Sequence, residues 1–257
     1  MLLTVDIGNT NITLGIFDKN ILVKTYRVIA DNYISLREYE HLFGSLLKNF
    51  EITECVIGSV YEEINTKIKT VLDRILNIDS ILLENSMEFG INIPKSKETA
   101  GIDRIANAVS ALKYNLPAIV VDIGTAVTFD VVSKEKEFIG GIILPGVNTQ
   151  LKSLHDYTSK LPVIEPKESE ITIGTDTESC ILSGVVRGIA CAIDGLTAMC
   201  EEELGEKASI ILTGGQCELI SKYIKFQIDY IEPNLTLYGL KDIFYNLKNN
   251  QNTCPQV

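Results

Sequence analysis

A chain of 257 residues, 46% of them hydrophobic, can bury one large core or two of about 100–150 residues each, which excludes a disordered or fibrous protein. Its 34 acidic against 23 basic side chains give a formal charge of −11, so nucleic acid is not an expected partner. A bound anion must be met locally by backbone N–H groups, a cation or a placed Arg. No uninterrupted apolar run approaches the ~20 residues of a membrane span, and Met1–Asp6 carries no leader pattern, so a cytoplasmic protein without membrane association is expected. Six cysteines without a C-x-x-C pair are expected to be reduced and packed as small hydrophobes. Only His41 and His155 are available to histidine chemistry, with no metal-binding spacing between them.

From the N-terminus, Leu3–Gly8 reads as a strand ending in Asp6-Ile7-Gly8. Asn9, Thr10 and Asn11 make a polar corner, and Ile12–Asp18 forms a second strand. Lys19-Asn20 turns the chain into a third strand over Ile21–Val28, completing an antiparallel meander. Leu36, Tyr39, Leu42, Phe43, Leu46, Leu47 and Phe50 then follow helical spacing. Cys55–Gly58 is a buried strand, Ile64–Ile75 a second helix and Ile81–Leu83 a short strand. Asp103 opens a helix carrying Ile105, Ala108, Val109 and Leu112, which Pro117 is expected to interrupt.

The meander then repeats. Ile119–Gly124 ends in Asp122-Ile123-Gly124, Thr125-Ala126 is the corner, Val127–Val132 the second strand and Phe138–Leu144 the third. A helix is expected over Val147–Leu154 and a long one from about Asp176 to Leu204. The strand Ser209–Leu212 leads into Thr213-Gly214-Gly215, and an αβα run covers Glu218–Leu247. Two β-meander plus αβ modules suggest an α/β fold of two similar domains, residues 1–116 and 117–257, facing each other across a cleft, with the last ~10 residues frayed. The long helix is apolar around most of its circumference, which suits a position between layers, between domains or against a second subunit.

Each corner could present consecutive backbone N–H groups to an anion, with glycine free to take positive φ, while the preceding Asp could hold a hydrated Mg²⁺. Thr10, Asn11 and Thr13 add neutral donors suited to polyphosphate. A plain hairpin turn is the alternative for either corner alone, and the pair is the more specific signal. Gly214-Gly215 either admits an adenine or ribose to the backbone or is a simple connection. Asp103, Asp176 and Thr177 each suit a helix cap as well as a ligand contact.

These corners, together with Gly101-Ile102-Asp103-Arg104, Gly140–Gly146, Thr158–Pro162, Gly174–Thr177 and Ser183-Gly184, resemble the type III pantothenate kinase family of the acetate and sugar kinase, Hsp70 and actin superfamily. The resemblance runs from Met1 to about Asn246. It implies two ribonuclease-H-like (actin-like ATPase) domains, each a mixed sheet with flanking helices, around a nucleotide cleft. It also implies ATP-dependent phosphorylation of pantothenate to 4'-phosphopantothenate, the first step of coenzyme A biosynthesis. Asp6, Ile7, Gly8, Asn9, Thr10, Asn11, Ile12, Thr13 and Thr125 are then the ATP contacts, and Gly101, Ile102, Asp103, Arg104 and Thr177 those of pantothenate. Asp103 is the implied proton acceptor and Asp122 the ligand of K⁺ or NH₄⁺; Mg²⁺ bridging the phosphates is expected as well, with Asp6, from the reading of its corner, the candidate to hold it. A homodimer is implied, its pantothenate pocket completed by the neighbouring subunit. The chain departs from the family at Pro94 (usually Tyr), Lys97 (Pro), Ile102 (Ala) and Val127 (Thr). Rival readings are a kinase for another small hydroxylated acid and a non-catalytic nucleotide-binding regulator; a carbamoyl-transferase-like member lacks its His pair.

Overall fold

The computed structural model describes residues 1–93 and 99–253. β1 (Leu2–Ile7), β2 (Asn11–Asp18) and β3 (Ile21–Ile29) pair antiparallel in chain order. Parallel to β1 on its other side run β4 (Glu54–Ser59) and then β5 (Ile81–Leu82), giving the order β3-β2-β1-β4-β5. Period-two alternation turns Leu3, Val5 and Ile7, Ile12, Leu14 and Ile16, and Cys55 and Ile57 to one face. There they meet Tyr39, Phe43 and Leu47 of α1 (Leu36–Leu47) and Ile64, Ile68, Val71 and Leu72 of α2 (Glu62–Leu76). Ser35 and Glu38 form a capping box that starts α1, and Asn77 ends α2 in the left-handed region. α3 (Ile102–Ala111) stops well before Pro117, so the proline does not interrupt it.

The second sheet repeats that topology. β6 (Ala118–Ile123), β7 (Ala126–Val132) and β8 (Phe138–Pro145) form the meander, and β9 (Ser209–Thr213) and β10 (Tyr230–Ile231) add in parallel, in the order β10-β9-β6-β7-β8. Ile119, Val121 and Ile123, Val127 and Phe129, and Ile210 and Leu212 face a core completed by α4 (Val147–Asp156), α5 (Thr177–Leu182), α6 (Gly188–Leu204) and α7 (Cys217–Ser221). α5 and α6 are one continuous helix joined by a π-helical turn, Ser183–Arg187. At 28 residues this helix is long and apolar enough to cross a membrane, which a count of unbroken apolar runs does not reveal, yet half of its most apolar stretch is buried. Its inward residues Ile181, Val185, Val186, Ile189 and Ile193 belong to the core just described. The irregular segment before it is tied down by Arg187, which donates to the Ser169 carbonyl (2.7 Å) and lies over the Tyr223 ring, while Ser183 Oγ donates to the Thr172 carbonyl (2.6 Å).

The last helix corrects the expected division at residue 116. The described residues of Met1–Ile91, Ser96–Ser110 and Thr236–Val257 form one unit and those of Asn92–Lys95 and Ala111–Leu235 the other. α8 (Leu235–Thr253) therefore returns to the first sheet, covering the face that α1 and α2 leave open. A methyl group on Gly15 would lie 2.9 Å from Leu237, one on Gly58 would overlap Leu240, and one on Gly239 would overlap the Ala106 carbonyl of α3. Lys241 donates to Asn20 and sits 5.6 Å from the centre of the Phe17 ring. Helix continues through Asn249–Thr253, where fraying was expected. The thiols also divide: Cys55 and Cys217 are buried hydrophobes, but Cys180 and Cys191 are exposed. Cys254 lies outside the described residues.

Candidate active site

In the first unit the sheet places Asp6 at the carboxyl end of β1, in register with Thr13 of β2 and Gly58 of β4. All three lie on the face opposite Val5, Ile7, Ile12, Leu14 and Ile57, whose side chains enter the core. Backbone hydrogen bonds fix the corner: Gly8 N–H to the Asn11 carbonyl (2.9 Å), Ala30 N–H to that of Thr10 (3.0 Å) and Val60 N–H to that of Ile7 (2.9 Å). Asn9 and Thr10 are exposed, whereas Ile7 and Ile12 are wholly buried and can offer a ligand only their backbone. Neither Gly8 nor Gly124 takes the positive φ expected of a corner glycine; among the described glycines only Gly90, Gly140, Gly205 and Gly214 do.

Gly101–Arg104 sits at the same end of that sheet. Ile105 N–H donates to the Gly101 carbonyl (3.1 Å), which opens the helix. A methyl on Gly101 would overlap Asp103 Oδ1 and lie 3.1 Å from Val60, the residue bonded to Ile7. Glycine leaves the Asp103 carboxylate room here, close to the carboxyl end of β4, the strand end at which open α/β sheets bind ligands. Oδ1 accepts the Arg104 N–H at 2.7 Å. Burial raises the Asp103 pKa above the ordinary carboxyl range, opposed by that N–H and by the Arg104 charge. Ile102 is buried against Gly58, so its side chain is a packing group.

The second unit carries the other corner. Gly124 N–H donates to the Ala126 carbonyl (2.9 Å), and the Thr125 carbonyl accepts from Gly146 N–H (2.9 Å) and Thr149 Oγ1 (2.6 Å), leaving the Thr125 side chain exposed. Val127 faces the core, so its replacement of a usual Thr touches packing. Two glycines are needed for space: a methyl on Gly146 would overlap the Gly124 carbonyl, and one on Gly214, at φ 88°, would overlap Asp122 Oδ1. The room left by Gly214, which the sequence left open between an approach for adenine or ribose and a simple connection, is filled by Asp122 and Ile123. The glycine directly after an apolar strand was the only signal of that approach.

Thr177 is exposed at the first position of α5. Asp176 caps the helix through the Ser179 N–H (2.9 Å), and this bond with the Ser179 hydroxyl holds its pKa below the usual range. A neighbouring cavity of about 530 Å³ is lined by Glu168, Glu170, Asp176 and Glu178 against Lys167 alone, and Lys167 pairs with Glu178 at 2.6 Å. Its field opposes an anionic ligand. Pro94 and Lys97 lie outside the described residues.

Among the described residues no three His, Cys, Asp or Glu side chains gather to hold a metal. A divalent ion held by protein alone does not fit. A hydrated Mg²⁺ shared between Asp6 and phosphate oxygens does, since Mg²⁺ keeps several waters and needs few protein carboxylates. Beside Asp122, the wholly buried Thr213 Oγ1 has no hydrogen-bond partner among the described residues, an oxygen donor that fits a hard cation there.

Comparison with known proteins gives the family and the fold. The model of the family described as type III pantothenate kinase matches residues 2–199. A type III pantothenate kinase of Finegoldia magna is 39% identical over 253 residues, covering 95% of this chain and 96% of that one. Among solved structures, a conserved protein of Campylobacter jejuni described as a Baf family transcriptional activator superposes with a TM-score of 0.63 at 23% identity, over 97% of this chain and 99% of the other. A ROK family glucokinase of Streptomyces griseus, in complex with glucose and AMPPNP, reaches 0.53 at 11% identity over 94% and 98%. At those identities the structural likeness speaks to the fold alone, that of the actin-like ATPases.

Proposed function

The chain belongs to the type III pantothenate kinase family, and from that membership we infer that it transfers the γ-phosphoryl group of ATP to the primary hydroxyl of pantothenate, the first step of coenzyme A biosynthesis. The observation that carries the reading is Asp103, a carboxylate whose affinity for a proton is raised by burial, at the strand end that also holds the Asp6–Thr13 corner. A primary alcohol needs its proton removed as its oxygen attacks phosphorus in line, and a base titrating nearer neutrality than a free carboxylate suits that task. Arg104 supplies a fixed positive charge for the pantothenate carboxylate, which the net charge of −11 otherwise repels. Gly101 lets the helix start approach, Ile102 positions it from the core, and Thr177 contributes an exposed hydroxyl to pantothenate.

Asp6 to Thr13 and Thr125 are assigned to ATP, with backbone N–H groups of the corners and the Asn and Thr side chains as donors. Mg²⁺ near Asp6 and K⁺ or NH₄⁺ at Asp122 supply positive charge to the phosphates when bound. A cytoplasmic homodimer completes the proposal. Support for the dimer comes from a row of exposed small residues on the long helix, Gly184, Gly188, Cys191, Gly195 and Ala198.

The test is release of ADP by purified protein with Mg²⁺ and K⁺, with and without pantothenate. Release that requires pantothenate and disappears in a folded Asp103→Asn variant is the expected result. Transfer to a different hydroxy acid only, or nucleotide binding without transfer to any alcohol, would replace this reading with that of another kinase or a regulator.

A further inference from the structure

The two sheets place their acidic corners in equivalent frames that differ at one position. In the first, register aligns Thr13, Asp6 and Gly58 across β2, β1 and β4; in the second it aligns Thr128, Asp122 and Thr213 across β7, β6 and β9. In both rows the flanking residues enter the core, Val5 and Ile57 in one and Val121 and Leu212 in the other, so each trio shares the opposite face. Gly58 is small for packing, since a methyl there would overlap Leu240 and meet Ile102 at 2.9 Å. Thr213 has the reverse character: a wholly buried hydroxyl with no hydrogen-bond partner among the described residues. The Asp122 carboxylate leans to that side, because its Oδ1 occupies the space beside Gly214, the residue after Thr213.

A buried hydroxyl left unpaired is destabilising unless something absent from the protein chain satisfies it. Beside a carboxylate, the group that does so best is a cation that takes several oxygen ligands. We propose that Thr213 Oγ1 is a direct ligand, next to Asp122, of the monovalent cation, and that this hydroxyl is what makes the second corner a cation site while the first is not. The proposal rests on the reading of Asp122 as the cation's carboxylate.

The experiment is thermal unfolding with a non-hydrolysable ATP analogue present throughout, titrating KCl against choline chloride at constant ionic strength. Wild-type protein is expected to gain stability with K⁺. Thr213→Val, which keeps the shape and deletes the hydroxyl, should raise the K⁺ midpoint about tenfold or abolish the response, as loss of a metal-site partner does elsewhere. Its unfolding temperature in choline chloride should equal or exceed that of wild type, because an idle buried hydroxyl has been removed. Thr213→Ser should restore the wild-type midpoint. If the valine variant does not fold, Thr213→Cys carries the same expectation, since a thiol is a poor ligand for a hard cation. A wild-type K⁺ midpoint in these variants would overturn the role of Thr213 and leave that of Asp122 standing. Absence of any K⁺ response in wild type would overturn both.

Discussion

Asp103 carries two linked consequences of one environment. Desolvation favours its neutral form, so protonation should switch catalysis off at a pH above the ~3.9 of a free aspartate. The acid limb of kcat/KM for pantothenate is therefore expected to lie above that value, and a limb at or below it would show that burial does not raise this carboxylate's pKa. Stability moves with the same group. Between the unfolded and the raised folded pKa the native state binds more protons than the unfolded chain, so stability falls as pH rises through that interval. The penalty is fully present above the folded pKa and absent below the unfolded one. Asp103→Asn keeps an oxygen for the Arg104 N–H and removes the charge. It should therefore be inactive yet melt higher than wild type at pH 8, with the difference shrinking as the pH falls through the raised folded pKa to the ~3.9 of a free aspartate. Equal melting temperatures at both pH values would show that burial does not destabilise this carboxylate.

At the scale of elements, what was legible followed from short-range pattern. Alternation in Leu3–Ile7 and Ile119–Ile123, the Asp-Ile-Gly endings and the apolar spacing of α1, α2 and α6 all lie within a few residues of one another, and the paired meanders formed as read. The partner of α8 was not legible, because the periodicity of Leu237 and Leu240 states that a face is apolar and not which sheet receives it. Gly146 and Gly214 were visible as glycines, but that each fills with protein backbone or Asp122 depends on register between strands distant in sequence. The register also explains why Ile7 and Ile12, inside the resembling motifs, turn out to be core side chains, while Ile102, at the start of α3, is buried against Gly58. The return of α8 makes a direct prediction. Gly239→Ala forces a methyl into the Ala106 carbonyl and should destabilise the protein by about 1–3 kcal/mol, the range for overpacking. Gly44→Ala in α1, where a methyl meets nothing within 4 Å, should stabilise it by about 0.5–1 kcal/mol through helix propensity. Urea unfolding of both variants checks the pair, and a neutral Gly239→Ala would refute the α3–α8 contact.

For the whole molecule the open question is what lies against the long helix. Gly184, Gly188, Cys191, Gly195 and Ala198 recur at spacings of four and three, the repeat that keeps one line of a helix facing a partner, and all are exposed. Methyl groups built on Gly184, Gly188 and Gly195 meet nothing within 4 Å, so glycine there is not required by packing within the chain, and each weakens a helix interior by about 0.5–1 kcal/mol relative to alanine. Met199 prolongs the line with a large apolar side chain that is 63% exposed. Close approach of a second helix gives these residues a purpose, since small side chains let two backbones pack at short range. The expected species in sedimentation velocity at micromolar concentration is a dimer for wild type and a monomer for Gly188→Arg, whose long charged side chain occupies the seam while α6 itself remains compatible with arginine. If the neighbouring subunit completes the acceptor pocket, the monomeric variant should show a raised KM for pantothenate with the affinity for ATP little changed. A wild-type protein that sediments only as monomer, or a Gly188→Arg variant that remains dimeric, would place the association elsewhere or deny it.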